Sequence, residues 1–179
     1  MIDRDLGIQY VDPTKIKFAD DNISSDKPFR NARTHLNTEE MTNKRESIRT
    51  LGVLKAPIIR PLINNPDGYL YQMVAGSLRL RSVLRLIDDN ASCYNAEKGE
   101  WVPAKEMYKK LKCSIRDCDE ETAICISIAE NLEHTQVPEL DLMDYCQELV
   151  DLKDSHGKPK YTRTQIAKLC NRHESWVSI

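Results

Sequence analysis

The run Ala75-Gly76-Ser77-Leu78-Arg79-Leu80-Arg81 has the residue types of an anion site. A glycine between a strand and a helix lets a phosphate come close to the backbone. The amides at the helix start, with the helix dipole behind them, favour negative charge. Arg79 and Arg81 follow at once, and the planar fork of a guanidinium matches phosphate oxygens. A second cluster, Glu130-Asn131-Leu132-Glu133-His134, sets a carboxylate beside a carboxamide. Such a pair can hold Mg2+ and orient phosphate oxygens. Taken singly, each motif also fits a plainer role, an exposed arginine face or a polar helix end.

The third constellation lies near the C-terminus. Thr162-Arg163-Thr164-Gln165-Ile166-Ala167-Lys168-Leu169 is followed by a four-residue turn and Glu174-Ser175-Trp176-Val177. Ile166, Ala167 and Val177 sit where a helix-turn-helix needs packing residues, and alanine at 167 permits close helix approach. A plain helical hairpin is the alternative. Thr164, Gln165, Arg172, Ser175 and Trp176 are the candidate DNA contacts, with the second helix as the reading helix. The chain stops six residues into that helix, so the reading helix is expected to continue past Ile179.

The elements that must position these groups follow from the pattern. Residues 1–35 show little periodicity, with a short strand and turn around Tyr10-Val11-Asp12-Pro13 and Ile16-Lys17-Phe18. Asn37 and Glu40 have capping-box spacing for a helix from Thr38 to Leu51, and Gly52 suits its end. Residues 56–63 and 69–74 read as a hairpin around Asn64-Asn65-Pro66-Asp67-Gly68. Ser77 then caps a helix with Leu78, Val83, Leu84 and Ile87 as its apolar positions. Residues 88–110 are polar and irregular, with a small hairpin near Glu97-Lys98-Gly99-Glu100. A strand at 111–116 precedes a helix capped by Asp119, which buries Ala123, Ile124, Ile126, Ile128 and Ala129. Pro138 opens another helix, with Leu140, Met143, Tyr145, Cys146, Leu149, Val150 and Leu152 apolar. Thr162 and Gln165 form the final capping box.

Composition narrows the class. The 179 residues are 40% hydrophobic and 30% charged, which is globular rather than disordered. The N-terminus is acidic and polar, without a signal-peptide pattern, so a cytoplasmic protein with no membrane association is expected. Six cysteines lie without zinc-knuckle spacing and read as reduced structural thiols. Net charge is −2, but residues 153–179 hold six basic residues against two acidic ones. A basic end on an acidic body can mark a nucleic-acid-facing segment.

In this order the pieces resemble the ParB family of chromosome and plasmid partition proteins. The likeness runs through Arg33-Thr34-His35-Leu36-Asn37, then residues 47–60. It continues through Val74-Ala75-Gly76-Ser77-Leu78-Arg79-Leu80-Arg81-Ser82, which resembles the family's Gly-Glu-Arg-Arg-x-Arg-Ala box. Glu130-Asn131-Leu132-Glu133-His134 resembles Glu-Asn-Leu-Gln-Arg, and the helix-turn-helix follows. The resemblance implies an α+β fold. A small ParB/sulfiredoxin-like mixed-sheet nucleotide-binding domain would span residues 1–134, followed by an all-α helix-turn-helix segment over 135–179. It implies CTP and Mg2+ as cofactors, with a parS-like DNA site, a homodimer and a ParA-type ATPase as partners, and a nucleoid or plasmid location. CTP would close a DNA clamp. By position, Gly52, Arg60, Ala75, Gly76, Ser77, Arg79, Arg81, Asn131 and His134 would bind nucleotide. Glu130 would be the catalytic residue of a weak CTPase and, with Asn131, would hold Mg2+.

Three departures stand out. Ser77 replaces a glutamate, Leu78 replaces the first arginine of the box, and His134 replaces an arginine. They favour binding over hydrolysis. Two alternatives follow: a ParB-fold transcriptional regulator or adaptor indifferent to nucleotide, and a ParB-fold small-molecule kinase. The helix-turn-helix pattern argues against the kinase.

Overall fold

A computed structural model describes residues 3–18, 38–134, 139–154, 156–170 and 172–177, without the side chains at 131–134, 139–141, 144, 145 and 148. In chain order the strands and helices are β1 (Asp3–Val11), β2 (Ile16–Lys17), α1 (Thr38–Leu51), β3 (Ile58–Pro61), β4 (Tyr71–Ala75), α2 (Ser77–Asp88), β5 (Ser92–Asn95), β6 (Glu100–Pro103), α3 (Ala104–Met107), β7 (Leu111–Cys118), α4 (Glu120–His134), α5 (Glu139–Asp151) and α6 (Arg163–Leu169). Short 3-10 turns occupy Pro13–Lys15 and Glu174–Val177.

Five strands form one mixed sheet in the order β1-β7-β3-β4-β2. β1/β7 and β3/β4 are antiparallel, whereas β3/β7 and β2/β4 are parallel. The period of two along a strand sends neighbouring side chains to opposite faces. Ile59, Met73 and Ile115 therefore join Ile48 of α1 and Leu80, Val83 and Leu86 of α2 in the main core. Their neighbours Ile58 and Val74 point the other way and pack under Ala123, Ile124 and Ile126 of α4. α4 also lends Ile128 to a helical cluster with Leu142, Cys146 and Leu149 of α5 and Ile166 and Ala167 of α6. One helix thus touches both the sheet and the C-terminal helices.

Much of the expected pattern is present. The β3–β4 hairpin pairs Ile59 with Met73 and Arg60 with Gln72. Asp119 accepts a hydrogen bond from the Thr122 amide at 2.9 Å, as a cap should. The Thr162/Gln165 capping box is complete. The Gly52 amide donates to the Ile48 carbonyl, closing α1. Asn37, expected to cap α1, and Pro138, expected in the first turn of α5, lie outside the described residues.

Other expectations need correction. The N-terminal stretch holds a nine-residue strand, β1. Only its end, Tyr10-Val11, falls in the expected short strand; it lies at the sheet edge with eight of its nine residues exposed, including the alternating Leu6, Ile8 and Tyr10. Leu78 is only half-buried, while Leu80 is fully buried. Two residues turn about 200° around a helix, so a face built on Leu80, Val83 and Ile87 carries Leu78 away from the sheet. Ala129 is exposed for the same reason, since the inner face of α4 runs through Ala123, Ser127 and Glu130. Residues 88–110 are ordered: the expected hairpin is β5–β6, and Cys93, Val102, Ala104 and Tyr108 behind it are buried. The expected second helix of the C-terminal motif is, over the described residues, a single 3-10 turn.

Candidate functional site

The anion turn forms where β4 runs directly into α2. Ser77 is not the cap. That position belongs to Gly76, in the left-handed region at φ 98°, and no side chain caps the helix. The Gly76 carbonyl accepts from the Arg79 amide at 2.9 Å and the Leu80 amide at 3.2 Å, so the first turn starts at Ser77. Its leading amides point out of the helix N-terminus. A Cβ at Gly76 would lie 2.7 Å from Arg79 Nη1, 3.0 Å from Pro57 Cβ and 3.2 Å from Pro57 Cα. At this left-handed φ a side chain would be strained, would push Arg79 aside and would crowd the loop that leads into β3.

Glu130 reaches this turn from the other layer. It lies seven residues, or about two helical turns, beyond Ala123, which packs on the sheet. Its side chain is 9% exposed, and its Oε1 accepts from Arg79 Nη2 at 2.5 Å. Lys55 Nζ stands 3.5 Å from the same oxygen. Two cations from two elements converge on one carboxylate oxygen. Among the described residues, Arg79 Nη1 is buried and has no hydrogen-bond partner. A buried donor of this kind is costly unless something accepts from it. Two properties therefore suit a phosphate: a cradle that a Cβ would fill and a buried guanidinium nitrogen with a spare hydrogen.

The remaining expected residues divide. Ala75 and Ser77 flank Gly76 and are buried. Arg81 stacks over the Phe18 ring, with Cζ 4.2 Å from the centroid. Arg60 points along the sheet, donating from Nε to Gln72 Oε1 at 2.7 Å and from Nη1 to the Cys118 carbonyl at 3.4 Å. Gly52 ends α1 three residues before Lys55. Asn131 and His134 continue α4 past Glu130, and their side chains are outside those described. Lys55 and Pro57 were missed as site residues, because neither has a sequence signal beyond lying in the segment Gly52 to Arg60. No group of three or more His, Cys, Asp or Glu side chains comes together among the described residues.

At the far end, Thr164, Gln165, Arg172 and Ser175 are exposed, beside Arg163 and Lys168. Arg172 lies over the Trp176 ring, 5.7 Å from its centroid, and Ser175 bonds His173 Nδ1 at 2.8 Å. Val177 is buried and anchors this turn in the cluster with Ile166 and Ala167. No helix among the described residues is long and apolar enough to cross a membrane.

The mixed sheet, with α1 and α2 on one face, α4 on the other and α5 and α6 beyond, is the fold of the ParB proteins. C-terminally truncated ParB from Caulobacter crescentus complexed with CTP-γ-S is similar over 96% of this chain and 74% of that one, at 19% identity and a TM-score of 0.50. The same protein complexed to the centromeric parS site is similar over 95% and 68%, at 19% identity and a TM-score of 0.54. A Pnob8-like ParB-N domain is similar over 99% and 68%, at 12% identity and a TM-score of 0.58. At such identities the likeness is one of fold. No family model matches the sequence, and no curated protein does.

Proposed function

We propose that this chain is a divergent ParB-like DNA-binding protein of plasmid or chromosome partition that acts as a CTP-dependent clamp. The observation that carries the reading is the Gly76 cradle with Arg79 in it, tied to Glu130 of α4. Gly76, Ser77 and Arg79 would hold phosphates, Glu130 and Asn131 would face Mg2+, and the Gly52 to Arg60 segment would lie near the base. A triphosphate supplies negative charge that competes with Glu130 for Arg79. The chain's own part is to present Arg79 from a fixed turn and to carry any displacement of Glu130 along α4, which is also packed on α5 and α6. Thr164, Gln165, Arg172, Ser175 and Trp176 would face a parS-like DNA site within a homodimer, with a ParA-type ATPase as a further partner and the nucleoid or plasmid as the location. Glu130 would support weak hydrolysis at most, because Ser77, Leu78 and His134 stand where the family has charged residues.

Calorimetry with CTP, UTP, ATP and GTP in Mg2+ tests this reading. CTP should bind best, and Arg79→Ala should weaken it ~10–150-fold, as expected for a lost charged hydrogen bond of ~1.5–3 kcal/mol. The absence of binding by any nucleotide removes the clamp. It would favour the nucleotide-independent regulator, which the loss of charge at Leu78 already suits.

A further inference from the structure

We infer that Lys55 is a phosphate ligand of this site and supplies the positive charge that Leu78 does not. The inference rests on the nucleotide reading above. Lys55 lies outside the glycine-arginine box, in the loop between α1 and β3, and within the segment otherwise given to the base its long side chain reaches Glu130 on the phosphate side. That loop is held against the box, because Pro57 packs so closely on Gly76 that a Cβ there would meet Pro57 Cβ at 3.0 Å. The lysine ammonium then stands 3.5 Å from Glu130 Oε1, the oxygen that Arg79 also holds. A carboxylate oxygen shared by two cations occupies the kind of position a phosphate oxygen takes. The side chain is 45% exposed, so its head sits at the mouth of the site, where a flexible ammonium can follow an incoming anion. Leu78, by contrast, is an apolar residue on the first turn of α2. The charge has moved from the helix to the facing loop.

Calorimetry on the full chain with CTP, CDP and CMP tests this for wild type, Lys55→Met, Lys55→Arg and Arg79→Ala. Lys55→Met should weaken CTP at least ~10-fold and CMP far less, because the contact is to the outer phosphates. Lys55→Arg should restore most of the affinity. Added salt should weaken wild type more steeply than Lys55→Met. Equal CTP affinities for wild type and Lys55→Met overturn the assignment and leave the nucleotide reading standing. A wild type that binds none of the three overturns both.

The geometry independently points to a redox pair at Cys146 and Cys170. Cys146 is on α5 and Cys170 ends α6, and their sulfurs lie 3.0 Å apart at 2% and 0% exposure. Closure to a disulfide of ~2.05 Å needs a shift of about 1 Å. The neighbouring Cys170 thiol, with Arg172 nearby, lowers the pKa of Cys146, which favours its thiolate as the attacking group. With a hydroperoxide as oxidant, the Cys146 sulfur attacks the peroxide oxygen and the O–O bond breaks, leaving a sulfenic acid and water or an alcohol. The Cys170 sulfur then displaces the hydroxyl, which leaves as water with the thiol proton. Peptide mapping after graded peroxide treatment should show a 146–170 cross-link before any oxidation at Cys93, Cys113, Cys118 or Cys125. Cys146→Ser should abolish it. No cross-link, or earlier oxidation of the other four, overturns the assignment.

Discussion

Gly76→Ala perturbs one atom at the centre of the candidate site. The new Cβ would sit 2.7 Å from Arg79 Nη1 and 3.0 Å from the Pro57 ring, at a φ of 98°. The left-handed backbone costs ~1–2 kcal/mol for a residue with a side chain. Restriction of the unfolded chain returns ~0.4–1 kcal/mol. Displacing Arg79 from Glu130 adds ~1.5–3 kcal/mol, the net worth of a charged hydrogen bond. The sum is about 2–4 kcal/mol. With a urea m-value of ~2 kcal/mol/M, the unfolding midpoint should fall by ~1–2 M. Gly99→Ala is the control: its φ is also positive, at 69°, but a Cβ there meets nothing within 4 Å. It carries the backbone cost alone, ~1 kcal/mol or less. Equal midpoint shifts for the two variants would refute the argument that Gly76 is held by close approach of Arg79 and Pro57.

Glu130→Gln leaves Arg79 and Lys55 without their shared carboxylate. It should lower stability by about 1–3 kcal/mol and weaken CTP binding in Mg2+, where a carboxylate facing the cation is lost, while binding without Mg2+ stays unchanged or tightens because the competing anion is gone; urea melts and calorimetry with and without Mg2+ read these effects. Thr162→Ala removes the complete capping box of α6 and should cost ~1 kcal/mol, seen as faster amide exchange in α6 with the sheet unaffected. The Lys160 ammonium, 2.8 Å from Glu121 Oε2, holds the folded pKa of Glu121 below the ordinary 4.5. The stabilisation is therefore complete above about pH 4.5 and lost as the pH falls through the lower folded value. Glu121→Gln should flatten that acid limb by no more than ~1 kcal/mol, because Lys160 is largely exposed. Arg172→Ala should weaken DNA binding and reduce the slope of affinity against salt by ~1, as measured by fluorescence anisotropy.

Local chemistry was legible in the chain. The Thr162/Gln165 box, the Asp119 cap, the turn between β3 and β4 and the hairpin at 97–100 depend on residues a few positions apart. The same holds for the strand-glycine-helix run at 74–79, although the cap fell on Gly76 rather than Ser77. What failed was phase and edge. The α2 face is built on Leu80 instead of Leu78, because two residues turn about 200° around the helix and so put the two side chains on opposite sides. β1 was expected only at its end, around Tyr10-Val11, because the alternation of Leu6, Ile8 and Tyr10 before it is short and none of the three is buried.

By itself, then, the sequence determined the long helices α1, α2, α4 and α5 and the capped start of α6, though not α3, where most turns fall, and that an arginine follows a glycine at the end of a strand. Those properties arise from backbone preferences and neighbouring side chains. Only the tertiary structure decided that Glu130 meets Arg79 and that Lys55 shares the same oxygen. These three residues come from α4, α2 and the loop before β3, separated by 51 residues in the Arg79–Glu130 pair. Such a meeting is set by which faces of the sheet bury which helices, so it follows from packing across layers and not from spacing along the chain.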